Sequence, residues 1–247
     1  MNIIFKTLYF SFILLSFSSA FGNGLDYKNR AVTYYLGSEP PTLETMDEAT
    51  STSVMVTGHT FEGLMRYDAQ NQLTYGVAKS HAISEDGRTY TFKLRENALW
   101  SDGIPVKAQD FEFAWKECIN PKKASKYAFI MYFLKNAEKA NGGKVGLDEI
   151  GVKALDDFTL EVTLEQPCGF FLPLTTFLTY MPCRESFYKK YPGTYAAEAA
   201  NCLYNGPFKM VEWKHESSIL LKKNEKYWNR QAVWLEPEQK IPHRHGI

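Results

Sequence analysis

The sequence predicts an α+β fold, and three observations carry that expectation. Apolar residues alternate at Tyr90, Phe92 and Leu94, and again at Leu160, Val162 and Leu164, the period of half-buried strands. Phe111, Ala114, Trp115 and Cys118 recur instead at helical spacing, which gives one buried helix face. Strands and helices follow each other without the strand–helix–strand metre that a doubly wound parallel sheet needs.

In chain order, residues 1–20 stand outside this fold. Met1 to Lys6 carries a single positive charge, Leu8 to Phe17 is apolar apart from serines and a tyrosine, and Ser18-Ser19-Ala20 supplies small side chains. That is the layout of a secretory signal cleaved near Ala20. An uncleaved anchor over Ile3–Phe21 is the alternative, but Lys6 interrupts it and a spanning helix needs about 20 apolar residues. The expectation is an exported protein.

Ala31–Leu36 reads as a strand closed by Gly37 and Pro40-Pro41, and a polar stretch from Glu44 to Ser53 precedes a helix over Val54–Met65. Asp68–Asn71 and Ser84–Gly87 have the composition of turns, the second opening the strand through Tyr90. Ser101–Gly103 is a third turn, followed by the helix Lys107–Cys118. A helical pattern over Tyr127–Asn141 ends at Gly142-Gly143. Ile150–Leu155 and Phe158–Leu164 form a hairpin about Asp156-Asp157. Gly169–Phe177 and Phe187–Tyr191 suit short helices, and Phe208–Trp213 pairs with Ile219–Lys223 around His215-Glu216.

Composition narrows the function. The chain has 247 residues, 45% hydrophobic and 15% aromatic, with 28 basic against 28 acidic residues, which argues against disorder and against a polytopic membrane protein. A nucleic-acid binder would need a basic surplus to neutralise phosphates, so none is expected as a partner. Cys118, Cys168, Cys183 and Cys202 lack metal-type spacing, and the five histidines do not group with them, so no metal or other cofactor is expected. Export permits disulfides, and Cys183 with Cys202 flanks a short helix; the pairing stays open, Cys118 alternatively being a small buried hydrophobe. There is no Gly-x-Ser-x-Gly elbow, no His-Glu-x-x-His and no phosphate-cradling loop, so an enzyme is not expected. Trp100 and Trp115 read as core anchors, and Asn205-Gly206-Pro207 as a turn in which glycine permits a positive φ.

Nine phrases in order carry a family resemblance: Gly37-Ser-Glu-Pro-Pro-Thr-Leu43, Phe61-Glu-Gly-Leu64, Ser84 to Phe92, Leu94 to Gly103, Ala108-Gln-Asp-Phe111, Asn120 to Ala128, Gly151 to Asp157, Asn205-Gly-Pro-Phe208 and Lys223 to Trp228. They resemble the extracytoplasmic oligopeptide-binding proteins that deliver peptides to ABC importers, solute-binding protein family 5. The resemblance spans about residues 31–229 and implies a periplasmic-binding-protein-like lobe, a mixed sheet with helices plus a smaller α+β subdomain. It implies a periplasmic receptor for short peptides whose partner is the membrane permease of an ABC importer. In that family the peptide lies extended and pairs main chain to main chain with the first domain. The matching positions are Ala49, Thr50 and Ser51, which otherwise read as a polar loop. Tyr127 matches a tyrosine that faces the ligand, and otherwise reads as a core aromatic.

The chain also departs from the pattern. Family members are longer, with their second large lobe beyond the position of Trp228, so the expectation is a receptor truncated before that lobe. The implied division is a signal at 1–20, first-lobe parts at 21–60 and 187–235, an inserted subdomain at 61–186 and an aberrant tail at 236–247. Ala232–Leu235 begins the family's next strand, but Glu236–Ile247 abandons it; His243-x-His245 could be read as a metal site, and unrelated readthrough is the stronger expectation. Lys107 stands where the family has a hydroxyl helix cap, a loss of roughly 0.5–2 kcal/mol. The alternatives to an incomplete peptide receptor are a nonfunctional fragment, a lobe that only docks to another polypeptide, and a secreted hydrolase.

Overall fold

A computed structural model describes residues 24–26, 28–33, 35–47, 50–235 and 238–242. The expected signal at residues 1–20, Ala49 and the His243-x-His245 motif lie outside this range. Every strand pairing among the described residues is antiparallel. β1 (Gly24–Asp26) pairs with β2 (Ala31–Thr33), and β3 (Met65–Tyr67) with β4 (Leu73–Tyr75). The principal sheet has the order β5-β6-β8-β7, from β5 (Ala78–Ile83), β6 (Thr89–Leu94), β7 (Val152–Asp156) and β8 (Thr159–Thr163). A three-stranded sheet runs β11-β10-β9, from β9 (Phe208–Lys214), β10 (Ser218–Lys223) and β11 (Glu238–Pro242).

Local chemistry explains the hairpins. Asp68 Oδ1 accepts the backbone N–H groups of Gln70 and Gln72 at 2.9 and 2.8 Å, and Asn71 takes the left-handed conformation the turn requires, φ 58°. Between β5 and β6, Gly87 adopts φ 69° while Ser84 Oγ accepts the Thr89 N–H. β6 then buries Tyr90, Phe92 and Leu94 on one face, with Tyr90 opposite Val162 and Phe92 opposite Leu160 on β8.

Helix α2 (Ala108–Ile119) covers that sheet with Phe111, Ala114, Trp115 and Cys118, all fully buried. At about 1.5–3 kcal/mol for each large apolar side chain removed from water, this face is the main anchor of the sheet. The start of α2 is held from the opposite side of the capping motif. Lys107 offers no cap oxygen, but the Asp110 carboxylate accepts the Lys107 N–H at 3.0 Å and the Trp100 indole N–H at 2.8 Å. Both Trp100 and Trp115 are fully buried, and Trp115 donates to the Tyr180 carbonyl at 3.0 Å.

Four sequence expectations are corrected. The first helix, α1, spans Ser51–Thr60 rather than Val54–Met65: the Thr50 hydroxyl accepts the Ser53 N–H at 3.1 Å and starts it early, and Met65 belongs to β3. The helical stretch over Tyr127–Asn141 is broken into a 3₁₀ turn, Ala128–Met131, and α3, Ala137–Asn141. Between them the backbone of residues 133–135 pairs with Glu165 and Thr163, and Asn136 turns the chain at φ 59°. Gly206 is absent from the positive-φ residues; a Cβ there would lie 2.6 Å from the Thr60 carbonyl carbon and 2.7 Å from the Phe61 nitrogen, so close backbone approach demands the glycine. Arg230–Ala232 forms a 3₁₀ turn where the sequence predicts a strand from Ala232, and β11, in the stretch expected to abandon the pattern, pairs with β10. Two single helical turns, α4 (Phe171–Leu174) and α5 (Glu185–Tyr188), complete the fold.

Candidate functional site

The segment leading into α1 is fastened at Thr42 and Glu44. The Glu44 N–H bonds Thr42 Oγ1 at 3.0 Å, and Ser53 Oγ donates to the Thr42 carbonyl at 2.6 Å. Lys123 Nζ lies 2.5 Å from Glu44 Oε1 and 5.7 Å from the Tyr188 ring centre. Burial raises the pKa of the Glu44 carboxyl although Lys123 pulls against it. Burial likewise works against the Lys123 ammonium, but the Glu44 carboxylate outweighs it and raises that pKa.

Three residues on, at Asp47, this segment meets the loop of Tyr127. Ser125 Oγ donates to the Asp47 carbonyl at 3.1 Å and accepts the Tyr127 N–H at 3.3 Å. One serine therefore joins the two stretches that the resemblance marks as ligand-facing. Thr50 is the extended N-cap of α1 and Ser51 its first helical residue, exposed to solvent. Tyr127 is half-buried, its ring stacked on Phe129 and Phe177 at centroid distances of 5.9 and 6.2 Å. Around them lies uncovered apolar surface: Phe129 is 59% exposed, and Val54 and Met55 of α1 are 42% and 41% exposed. Ser125 lies inside the family phrase Asn120 to Ala128, but nothing in the sequence marks its bridge to Asp47.

At the other end of α1 a buried carboxylate stitches distant segments together. Glu62 accepts the Tyr227 hydroxyl and the Trp228 indole N–H, both at 2.5 Å, with Arg66 Nε at 3.6 Å. The Arg95 guanidinium stacks 3.8 Å above the Trp228 ring centre. Burial raises the Glu62 pKa despite these donors. Asn205 completes the joint, its Oδ1 accepting the Glu62 N–H at 3.1 Å and its Nδ2 donating to the Glu62 carbonyl at 2.8 Å.

Nothing in these clusters provides an activated nucleophile. All four cysteines are free and buried, and burial pushes the thiols of Cys118 and Cys202 up to about 11 and about 12, far from the thiolate a cysteine hydrolase needs. Among the described residues no group of His, Cys, Asp and Glu could hold a metal ion, and no helix is long and apolar enough to cross a membrane. What the surface offers at this point is a helix N-cap and, across the Ser125 bridge, an aromatic stack.

The chain is similar to known proteins over most of its length. The model for bacterial extracellular solute-binding proteins, family 5, matches residues 72–237. The oligopeptide-binding protein OppA of Bacillus subtilis is 45% identical over 185 residues, which are 75% of this chain and 34% of that protein. The dipeptide-binding protein DppE of the same organism is 43% identical over 175 residues, 71% of this chain and 32% of DppE. The structure of Listeria monocytogenes OppA bound to peptide superposes with a TM-score of 0.85 at 31% identity, covering 87% of this chain and 43% of that one. The chain thus spans about a third of the length of these curated relatives.

Proposed function

The chain belongs to family 5 of the bacterial extracellular solute-binding proteins, and on that premise we propose that it binds short peptides outside the cytoplasm for uptake by an ABC importer. Its relatives are binding proteins rather than enzymes. The observation that carries the proposal is the Ser125 bridge, which ties the loop of Tyr127 to Asp47, three residues before the extended N-cap Thr50. A peptide laid along Ala49, Thr50 and Ser51 would gain affinity from main-chain hydrogen bonds, tolerating many side chains, while Tyr127 meets it from the neighbouring loop. The permease would be the receptor's membrane partner.

Because two-lobed receptors gain affinity by closing both lobes over the solute, the present span supplies one wall of the cleft. Binding weaker than about 1 μM is expected from one wall. Titrating the ¹⁵N-labelled protein with a mixed-sequence tripeptide tests this. Amide shifts clustered at Thr50–Thr52 and Ser125–Phe129 support the proposal; shifts confined elsewhere, or none at about 1 mM peptide, refute it. The exposed apolar residues Val54, Met55 and Phe129 favour a second reading, a lobe that docks on another polypeptide without binding peptide itself. Hydrolysis of the peptide during the titration would instead point to an enzyme.

A further inference from the structure

The turn between β9 and β10 carries His215, whose two ring nitrogens each face a carboxylate from a different part of the chain. Nδ1 lies 2.5 Å from Glu39 Oε1 and Nε2 lies 3.3 Å from Glu198 Oε1. The Glu216 N–H also bonds Glu39, through its second oxygen. Glu216 sits at φ 57°, the left-handed position that closes this three-residue turn, with the Ser217 N–H bonded to the Lys214 carbonyl. On one side the imidazole packs against the Trp213 indole, ring centroids 4.5 Å apart, and the group borders a cleft of about 410 Å³ with Pro40, Pro41 and Thr42.

Proton accounting fixes what these contacts require. An ionised carboxylate only accepts, whereas a neutral imidazole has one donor and one acceptor. Both contacts are hydrogen bonds only while the ring carries both protons. We propose that His215, as an imidazolium, latches the β9–β10 turn to Glu39 and Glu198 and thereby holds the segment that runs from Glu39 toward α1, so that deprotonation loosens it. A neutral ring keeps at most one of the two bonds and loses the charge assistance of both. Pro40 and Pro41, with φ fixed, pass the tether on to Thr42, which Ser53 and Glu44 grip in turn.

The surrounding charges favour the closed latch. Glu39 and Glu216 line the cleft beside the ring and Glu198 faces its Nε2, while Lys214 at the end of β9 is occupied 3.2 Å from Glu212. The Glu39 hydrogen bond raises the His215 pKa above the ordinary 6.5, burial opposing it and Glu198 adding to it. A raised histidine value means that the tether is fully present below about 6.5 and fades as pH climbs through the folded-state value.

Two ligand-free readouts test the latch on the full chain. The first is the ring ¹H–¹³C resonance that disappears in His215→Gln; it is expected to titrate above 6.5, and Glu39→Gln is expected to lower that midpoint. The second is hydrogen exchange of residues 39–47, corrected for intrinsic rates, at about pH 6 and about pH 8.5. Protection is expected to fall roughly 1.4- to fivefold in the unsubstituted protein, the range exposed ion pairs supply, and to be low at both pH values in His215→Gln. A midpoint at or below 6.5, or a pH-dependent protection that survives His215→Gln, overturns the latch. Its consequence for ligand, which rests on the peptide reading above, is tripeptide affinity that weakens over the same pH range. PH-independent affinity beside an intact latch overturns that coupling, and no peptide binding beside an intact latch overturns the peptide reading alone.

Discussion

Replacing Asn205 by alanine removes a single side chain that satisfies both backbone groups of Glu62. Asn205 is 3% exposed, and it accepts from the Glu62 N–H at 3.1 Å and donates to the Glu62 carbonyl at 2.8 Å. Each buried backbone group left without a partner costs about 1–3 kcal/mol, so the two together set a range of about 2–6 kcal/mol. The space vacated by the amide admits a water that recovers part of this, which places the expectation at about 2–4 kcal/mol. Urea unfolding followed by tryptophan fluorescence reads it directly, as a lower midpoint with an unchanged slope. In a thermal melt the same loss corresponds to a fall of roughly 4–16 °C for a chain of this size. Asn205→Asp keeps an acceptor for the N–H but sets an oxygen against the Glu62 carbonyl, so it is expected to be no better than alanine. A loss below about 0.5 kcal/mol in Asn205→Ala would show that the Glu62 backbone finds other partners, and the stitch would then be incidental.

Two further substitutions follow from the same framework. Burial pushes the Asp110 carboxyl up to about 6 from 3.8, so folding favours its protonated form; the charged form costs stability progressively as pH rises from 3.8 to about 6. The difference corresponds to about 3 kcal/mol, and Asp110→Asn is expected to gain that much on the unsubstituted protein between about pH 4 and pH 7. A stability difference that does not change with pH in paired urea titrations would refute this. Gly206→Ala drives a methyl group into the backbone at Thr60 and Phe61, and a loss of about 1–3 kcal/mol is expected; an unchanged melting temperature would mean that the two segments part without cost.

The elements legible in the sequence are those whose cause is local. The turn at Asp68–Asn71, the turn at Ser84–Gly87, the alternation of β6 and the apolar face of α2 all lie within a few residues of what specifies them. The break within residues 132–136 is different, because it is imposed by the end of β8, about thirty residues away, and helical periodicity continues across it. Gly206 shows the same limit from another side. Its neighbours Asn205 and Pro207 have turn chemistry, so a positive φ is the natural reading, whereas its real constraint is Thr60 lying against it. Of the candidate site, Thr50 and Ser51 are reached by position after the first family phrase and Tyr127 from within the phrase Asn120 to Ala128; Ser125 stands in that same phrase, but its bridge to Asp47 is legible only in three dimensions. The Glu39–His215 contact spans 176 positions and leaves no periodic trace at all.

The Glu62 stitch also dictates an order of events in time. Its partners Asn205, Tyr227 and Trp228 follow it by 143, 165 and 166 positions. At roughly 5–20 residues per second of synthesis, Trp228 arrives about 8–33 seconds after Glu62. The hairpins of the principal sheet need only microseconds once their residues are present. A growing chain therefore completes the principal sheet only once Thr163 is made, still before Asn205, Tyr227 and Trp228 exist, and the last aromatic pair to emerge is what locks the end of the first helix in place.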